Sequence, residues 1–168
     1  MTHNRIDDYG IIGDLHTAVL VSNDGSLDWA CLPDFDSPSV FAALLDEEKG
    51  GHFRIGASNG GTTRQLYYPE TNVLITRFAG AGGIAQVLDF MPVNDERHER
   101  SVIRYVQGVR GSTPMRLECR PRFNYARTEH TLQANEGTVV FAATTGERLG
   151  RTSTWCVHRP FGDTITKS

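Results

Sequence analysis

Lysine is almost missing from this chain: 2 Lys stand beside 15 Arg in 168 residues. That skew reflects coding bias more than physics. The net charge is −3 and the isoelectric point about 6.0, so no electrostatic footprint for nucleic acid exists and nucleic acid is excluded as a partner. No apolar run approaches the ~20 residues that cross a bilayer, so no membrane partner is expected. The first eight residues hold no apolar core of a leader peptide. Cysteine is scarce, and Cys31, Cys119 and Cys156 lie far apart without metal spacing; they read as free thiols of a cytoplasmic protein, with an exported chain holding one disulfide as the alternative. The six histidines (His3, His16, His52, His98, His130 and His158) form no i,i+3 or i,i+4 pair, so neither a metal nor another cofactor is expected. A Gly-x-Ser-x-Gly elbow and a Cys–His signature are both absent, which removes support for nucleophilic catalysis.

What the chain does have is glycine, 17 residues of it, dividing short runs of Val, Ile, Leu, Phe and Tyr. That rhythm predicts an all-β protein. Residues 17–22 and 26–31 form the clearest hairpin, with Gly25 supplying a positive φ in the turn. Period-two alternation puts Leu27, Trp29 and Cys31 on one face. Further strands are predicted at 52–55, 65–68, 72–78, 84–90, 101–109, 115–119 and 138–143, with 115–119 pairing back onto 101–109. A short helix is predicted over 40–45, capped by Ser37 or Ser39. The sum is an antiparallel β-sandwich of about nine strands with one short helix. Residues 1–150 make the domain and 151–168 a divergent or frayed end, with a weak strand signal at 155–157.

Three local patterns carry possible chemistry. Gly80-x-Gly82-x-x-Ala85 matches a loose dinucleotide fingerprint, but the residues after it alternate like a strand, so a hairpin turn is the reading. Asp34 and Asp36 flank Phe35 on one short loop. Two carboxylates so placed do not bracket a sugar, and capping of backbone amides is the favoured role. Trp29, Phe35, Asp36 and Ser37 are nonetheless candidates for the rim of a sugar site, because aromatic faces stack on sugar rings and carboxylates accept hydroxyl hydrogens. Finally, Arg120, Arg122 and Arg127 surround Phe123 and Tyr125. An internal ion pair, a contact with another domain and a ligand contact all suit such a cluster, and these five residues are the candidates for a domain interface.

Residues 11–22, 24–29 and 31–41 resemble the opening of glycoside hydrolase family 15, the bacterial trehalase and glucoamylase-like proteins. Residues 68–74, 89–92 and 121–125 continue the likeness in order, over about residues 5–145. The resemblance implies a β-sandwich followed by an (α/α)6 barrel, in which two glutamates hydrolyse an α-glucoside with inversion. No run of long amphipathic helices occurs here, so those glutamates have no counterpart. The family usually carries a basic residue where this chain has Asp34. The expectation is an accessory N-terminal domain of an α-glucosidase, meeting trehalose or a maltooligosaccharide through a barrel that this chain lacks. A stand-alone carbohydrate-binding module, marked by coplanar exposed aromatics, and a non-functional fragment are the alternatives.

Overall fold

The computed structural model describes residues 5–93, 100–135, 138–146 and 148–152. A 3-10 turn, Ile6–Asp8, leads into β1 (Tyr9–Gly13), β2 (Ala18–Ser22) and β3 (Ser26–Cys31). These pair as antiparallel neighbours, and β4 (Ser39–Phe41) and β5 (His52–Ala57) both pair with β3. A second sheet is a meander of β6 (Thr62–Tyr67), β7 (Leu74–Gly80), β8 (Gly83–Phe90) and β9 (Ile103–Gly111). The chain then returns to the first sheet as β10 (Met115–Arg120), beside β5. A four-residue turn, α1 (Phe123–Ala126), precedes a third sheet of β11 (His130–Asn135), β12 (Thr138–Ala143) and β13 (Arg148–Thr152). The fold is all-β, as the alternation predicts, with β1, β4, β11 and β13 beyond the expected strands. The glycine fingerprint is the β7–β8 turn, where Gly80 pairs with Gly83. No helix among the described residues is long and apolar enough to cross a membrane. The strand signal at 155–157 lies outside the described residues.

Three local expectations are corrected. Residues 40–45 are not a helix: Val40 and Phe41 are buried in β4, where Phe41 stands opposite Ala30. The amides of Ala42, Ala43 and Leu44 then go to the carbonyls of Gly50, Gly51 and Asp28. Long-range backbone partners override a weak local propensity. Nor does β10 fold back on β9. The link between them carries the chain from one sheet to the other, held by Ser112 N–H on the Gly82 carbonyl and Ser58 N–H on the Pro114 carbonyl. This crossing buries Met115 and Leu117 against Ile55, Phe78 and Val87. The third correction concerns β3. Leu20 pairs with Trp29 and Val21 with Leu27, so Asp28 is the extra residue of a β-bulge. A bulge reverses the alternation beyond it. Leu27 and Ala30 therefore share the core, and Trp29 turns away from it.

The main core joins all three sheets: Ile12, Val19, Val21, Leu27 and Phe41 meet Leu74 of β7 and Phe141 and Ala143 of β12. Polar side chains stitch the first two sheets together. Gln65 Nε2 donates to the Val21 and Ser22 carbonyls at 3.2 and 2.8 Å. Tyr67 Oη accepts the Ile11 N–H and donates to the Ile11 carbonyl, both at 2.9 Å, and Asn72 Nδ2 donates to the Gly13 carbonyl at 3.1 Å. On β9, Arg104 grips Asp89 of β8 through two hydrogen bonds of 2.8 and 3.1 Å. The same guanidinium donates to the Gly25 carbonyl at 2.7 Å and to that of Phe53, whose ring it covers at 4.9 Å. Both charged side chains are almost sealed, at 2% and 0% exposure. Such a pair persists only when every donor and acceptor finds a partner.

Candidate functional site

Antiparallel pairing gives the first sheet two ends. At one, β2 and β5 finish; the turns at 23–25, 58–61 and 112–114 lie there, joined by the Ser58–Pro114 and Ile55–Gly25 backbone bonds. Its positive-φ residues are Gly25, Gly60, Gly61 and Gly111, which reach that region without a Cβ penalty. At the other end, β1, β3 and β10 finish, and the sequence-predicted site residues lie in the last residues of β3 and β10, Trp29 and Arg120, or in the loops that follow them.

This second end is built from four loops tied by hydrogen bonds. In residues 14–17, Asp14 Oδ1 accepts the amides of His16 and Thr17, each at 3.0 Å. The Thr17 hydroxyl donates to the Cys31 carbonyl, and the Phe35 amide donates to the His16 carbonyl at 3.0 Å. That joins loop 14–17 to loop 32–38. Arg100 sits between them, with Asp14 at 3.6 Å and Asp34 at 3.9 Å. Asp34, where the resemblance predicts a base, thus faces an arginine of its own chain. The third loop, 68–73, is attached through Asn72 and the Gly13 carbonyl. The fourth is the turn after β10: the Arg122 amide bonds to the Val40 carbonyl at 2.9 Å and the Tyr125 amide to Ser39 Oγ at 3.2 Å.

The five non-glycine residues with positive φ among those described are Leu15, Glu70, Asn124, Tyr125 and Ala126. All lie in these loops. The α1 turn is accordingly left-handed at Asn124 (51°, 53°) and Tyr125 (55°, 43°). Each such residue costs about 1–2 kcal/mol.

The rim candidates occupy different depths here. Trp29 is half-buried, and its ring lies 6.2 Å from that of Tyr125 at an interplanar angle of 51°. Phe35 and Asp36 are exposed, while Ser37 is half-buried with its hydroxyl accepting the Asp34 amide at 3.1 Å. The amide-capping expected of an aspartate in this loop falls to Ser37, and Asp14 plays it one loop away. The bulge at Asp28 thus pairs a rim candidate, Trp29, with an interface candidate, Tyr125. Among the other interface candidates, Phe123 is buried in the core. Arg120 pairs with Glu118 of its own strand. Arg122 and Arg127 are exposed.

Beside Tyr125 opens a cavity of about 270 Å³, lined by Ala42, Leu45, Asp46, Lys49, Gly50, Tyr125 and Ala126. Asp46 is the one carboxylate in its wall, and its Oδ1 accepts the amides of Glu48 and Lys49 at 3.1 and 3.0 Å. The cavity therefore lacks the opposed acid and base of a glycosidase. Burial pushes the Asp28 carboxyl above its ordinary value, against the hydrogen bonds from Ser26 and Tyr9; that group is committed to its neighbours. Burial likewise raises the Cys31 thiol, opposed by a hydrogen bond with Tyr125. No group of three or more metal-ligating side chains occurs among the described residues. Sequence reasoning missed Leu15, Glu70 and Arg100, because neither the sign of φ at an ordinary residue nor a pairing across loops leaves a local signal.

Residues 2–149 match the family described as trehalase-like, N-terminal. The trehalase of Thermoplasma volcanium is 35% identical over 158 residues, which cover 89% of this chain and 25% of that protein. The trehalase of Mycobacterium tuberculosis is 30% identical over 167 residues, covering 89% and 24%. For that of Mycolicibacterium smegmatis the values are 33% over 144 residues, 75% and 21%. The chain thus spans about a quarter of the length of the curated relatives it matches. No solved structure matches it.

Proposed function

This chain belongs to the trehalase-like, N-terminal family, and from that premise we propose that it is the non-catalytic β-sandwich domain of a cytoplasmic, inverting α-glucosidase of glycoside hydrolase family 15. The substrate class is trehalose or a maltooligosaccharide. One observation carries the reading: the family match runs over residues 2–149, yet the whole chain spans only about a quarter of each related trehalase. Hydrolysis with inversion needs two carboxyl groups roughly 6.5–9.5 Å apart across the substrate, and the cavity wall offers Asp46 alone. Residues 1–150 are the domain in this proposal and 151–168 its divergent end. Trp29, Phe35, Asp36 and Ser37 form part of the rim of a site completed elsewhere, and Arg120, Arg122, Phe123, Tyr125 and Arg127 support a domain contact. A stand-alone sugar-binding module is less favoured, because the 51° tilt between Trp29 and Tyr125 makes no flat platform.

The test is hydrolysis of trehalose and of maltooligosaccharides by the purified chain, read as glucose release. No release is expected. Release at enzyme-like rates that is abolished in Asp36→Asn would place a catalytic site in the sandwich and overturn the proposal.

A further inference from the structure

We propose that the four-loop end carrying Leu15, Phe35 and Tyr125 is a preformed docking face, and that its occupant is the downstream part of a trehalase-type chain. The proposal rests on the accessory-domain reading and adds which surface meets the catalytic part.

Four observations converge. The first is strain: all five left-handed non-glycine residues among those described lie in these loops. A conformation that costs free energy in the isolated domain is retained where it positions a contact. The second is exposure of apolar side chains from those same loops. Leu15 is 83% exposed, Phe35 64%, Tyr68 55% and Tyr125 42%. Leu15 in particular is held left-handed, at φ 77°, with its side chain in water. The 14–17 turn it completes is closed by the Asp14 N–H on the Thr17 carbonyl and by Asp14 Oδ1 on the His16 and Thr17 amides, and none of these bonds uses the Leu15 side chain.

The third observation is rigidity. The loops are joined by the Phe35–His16, Asn72–Gly13 and Tyr125–Ser39 hydrogen bonds and by Arg100 between Asp14 and Asp34. A surface ordered in advance loses little entropy on binding. The fourth is length: related trehalases carry about three quarters of their chain outside the matched region, a mass large enough to cover such a face. Exposed charge sets the orientation. Asp36 is exposed next to Phe35 and Glu70 is exposed in the loop of Tyr68, Asp34 already faces Arg100, and Arg122 and Arg127 flank Tyr125 in sequence. The occupant should therefore bring basic groups to Asp36 and Glu70 and acidic groups to Arg122 and Arg127, around an apolar centre.

The test uses the Thermoplasma volcanium trehalase with its matching quarter replaced by residues 5–152 of this chain. Three forms are compared: unmodified, Leu15→Ser with Phe35→Ser, and Leu132→Ser, which alters an exposed residue of β11. The unmodified chimera should hydrolyse trehalose. The loop variant should lose about tenfold or more of that activity and become open to trypsin between its two parts, because central apolar anchors dominate an interface. Leu132→Ser should change neither, and the 168-residue chain carrying the loop substitutions should melt as the parent does. A loop variant as active and resistant as the unmodified chimera overturns the docking face, as does a loss confined to Leu132→Ser. An unmodified chimera that melts cooperatively yet releases no glucose overturns the accessory reading itself. Where the fusion does not melt cooperatively, cross-linking of the intact chain to the relative lacking its matching quarter reads the same contrast: parent linked and loop variant not, or the reverse.

Discussion

The two ends of the first sheet make the same backbone move with different residues. At the end holding the 23–25 turn, positive φ falls on Gly25, Gly60, Gly61 and Gly111; at the loop end Gly51, against Arg120 and Arg122, is joined by five residues that carry a Cβ: Leu15, Glu70, Asn124, Tyr125 and Ala126. A Cβ added to Gly25 would strike the Ile55 carbonyl and approach Phe78, so glycine there permits close packing and relieves φ at once. The glycine end also receives the guanidinium of Arg104, almost fully buried with every contact inside the domain. The loop end accepts strain and turns apolar side chains to water. One end thus uses its unusual backbone for close packing inside the sandwich, and the other combines it with apolar side chains left in water.

The largest test of that contrast removes the Arg104 grip. Arg104→Ala leaves the Asp89 carboxylate buried without its partner and should destabilise the chain by about 3–5 kcal/mol, lowering the melting temperature by roughly 10 °C. A loss under about 1 kcal/mol, the range of an exposed pair, would erase the distinction between the ends. Next comes Gly25→Ala, which adds a left-handed penalty to a steric one and should cost about 2–3 kcal/mol in urea unfolding. Leu15→Gly is its mirror image. It relieves a left-handed residue whose side chain is exposed, so it should stabilise by about 0.5–1 kcal/mol; a destabilised variant would mean that Leu15 already serves the isolated domain.

The smallest effect is one of pH. His130 stands edge-on between Phe123 and Phe141, 5.7 and 5.6 Å from their ring centres. Burial first, and then the Arg122 charge, pull its imidazole below the ordinary 6.5. The folded chain therefore binds this proton less readily than the unfolded chain. Stability is unaffected well above pH 6.5, falls as the pH drops through 6.5, and levels off below the folded value. The melting temperature should track that course in the parent and lose this component in His130→Phe. An unchanged profile in the variant would remove His130 as the cause.

The sequence made most of the sandwich legible, because hydrophobic alternation and glycine spacing are local signals. β3, β7, β8 and β12 lie where that pattern puts them. What it hid was set by distant partners. Val40 and Phe41 look equally apt for a helix or a strand, and the open side of β3 decides. Met115 and Leu117 alternate correctly, but only the space between the sheets directs them to β5 rather than β9. Trp29 was legible as a candidate, while its orientation was not, since one extra residue at Asp28 reverses the face of every later residue in the strand. The site was therefore half readable: its residues stand out in the chain, and their grouping into one end emerges only from the loop-to-loop hydrogen bonds.

The Tyr67 phenol has a consequence for assembly. β1 is an outer strand, and its free amides and carbonyls would ordinarily template a neighbour. By holding both the N–H and the carbonyl of Ile11, Tyr67 occupies the position that an incoming strand would take. The Ile11 amide should exchange with deuterium as slowly as one inside the sheet, and this border should resist runaway polymerisation.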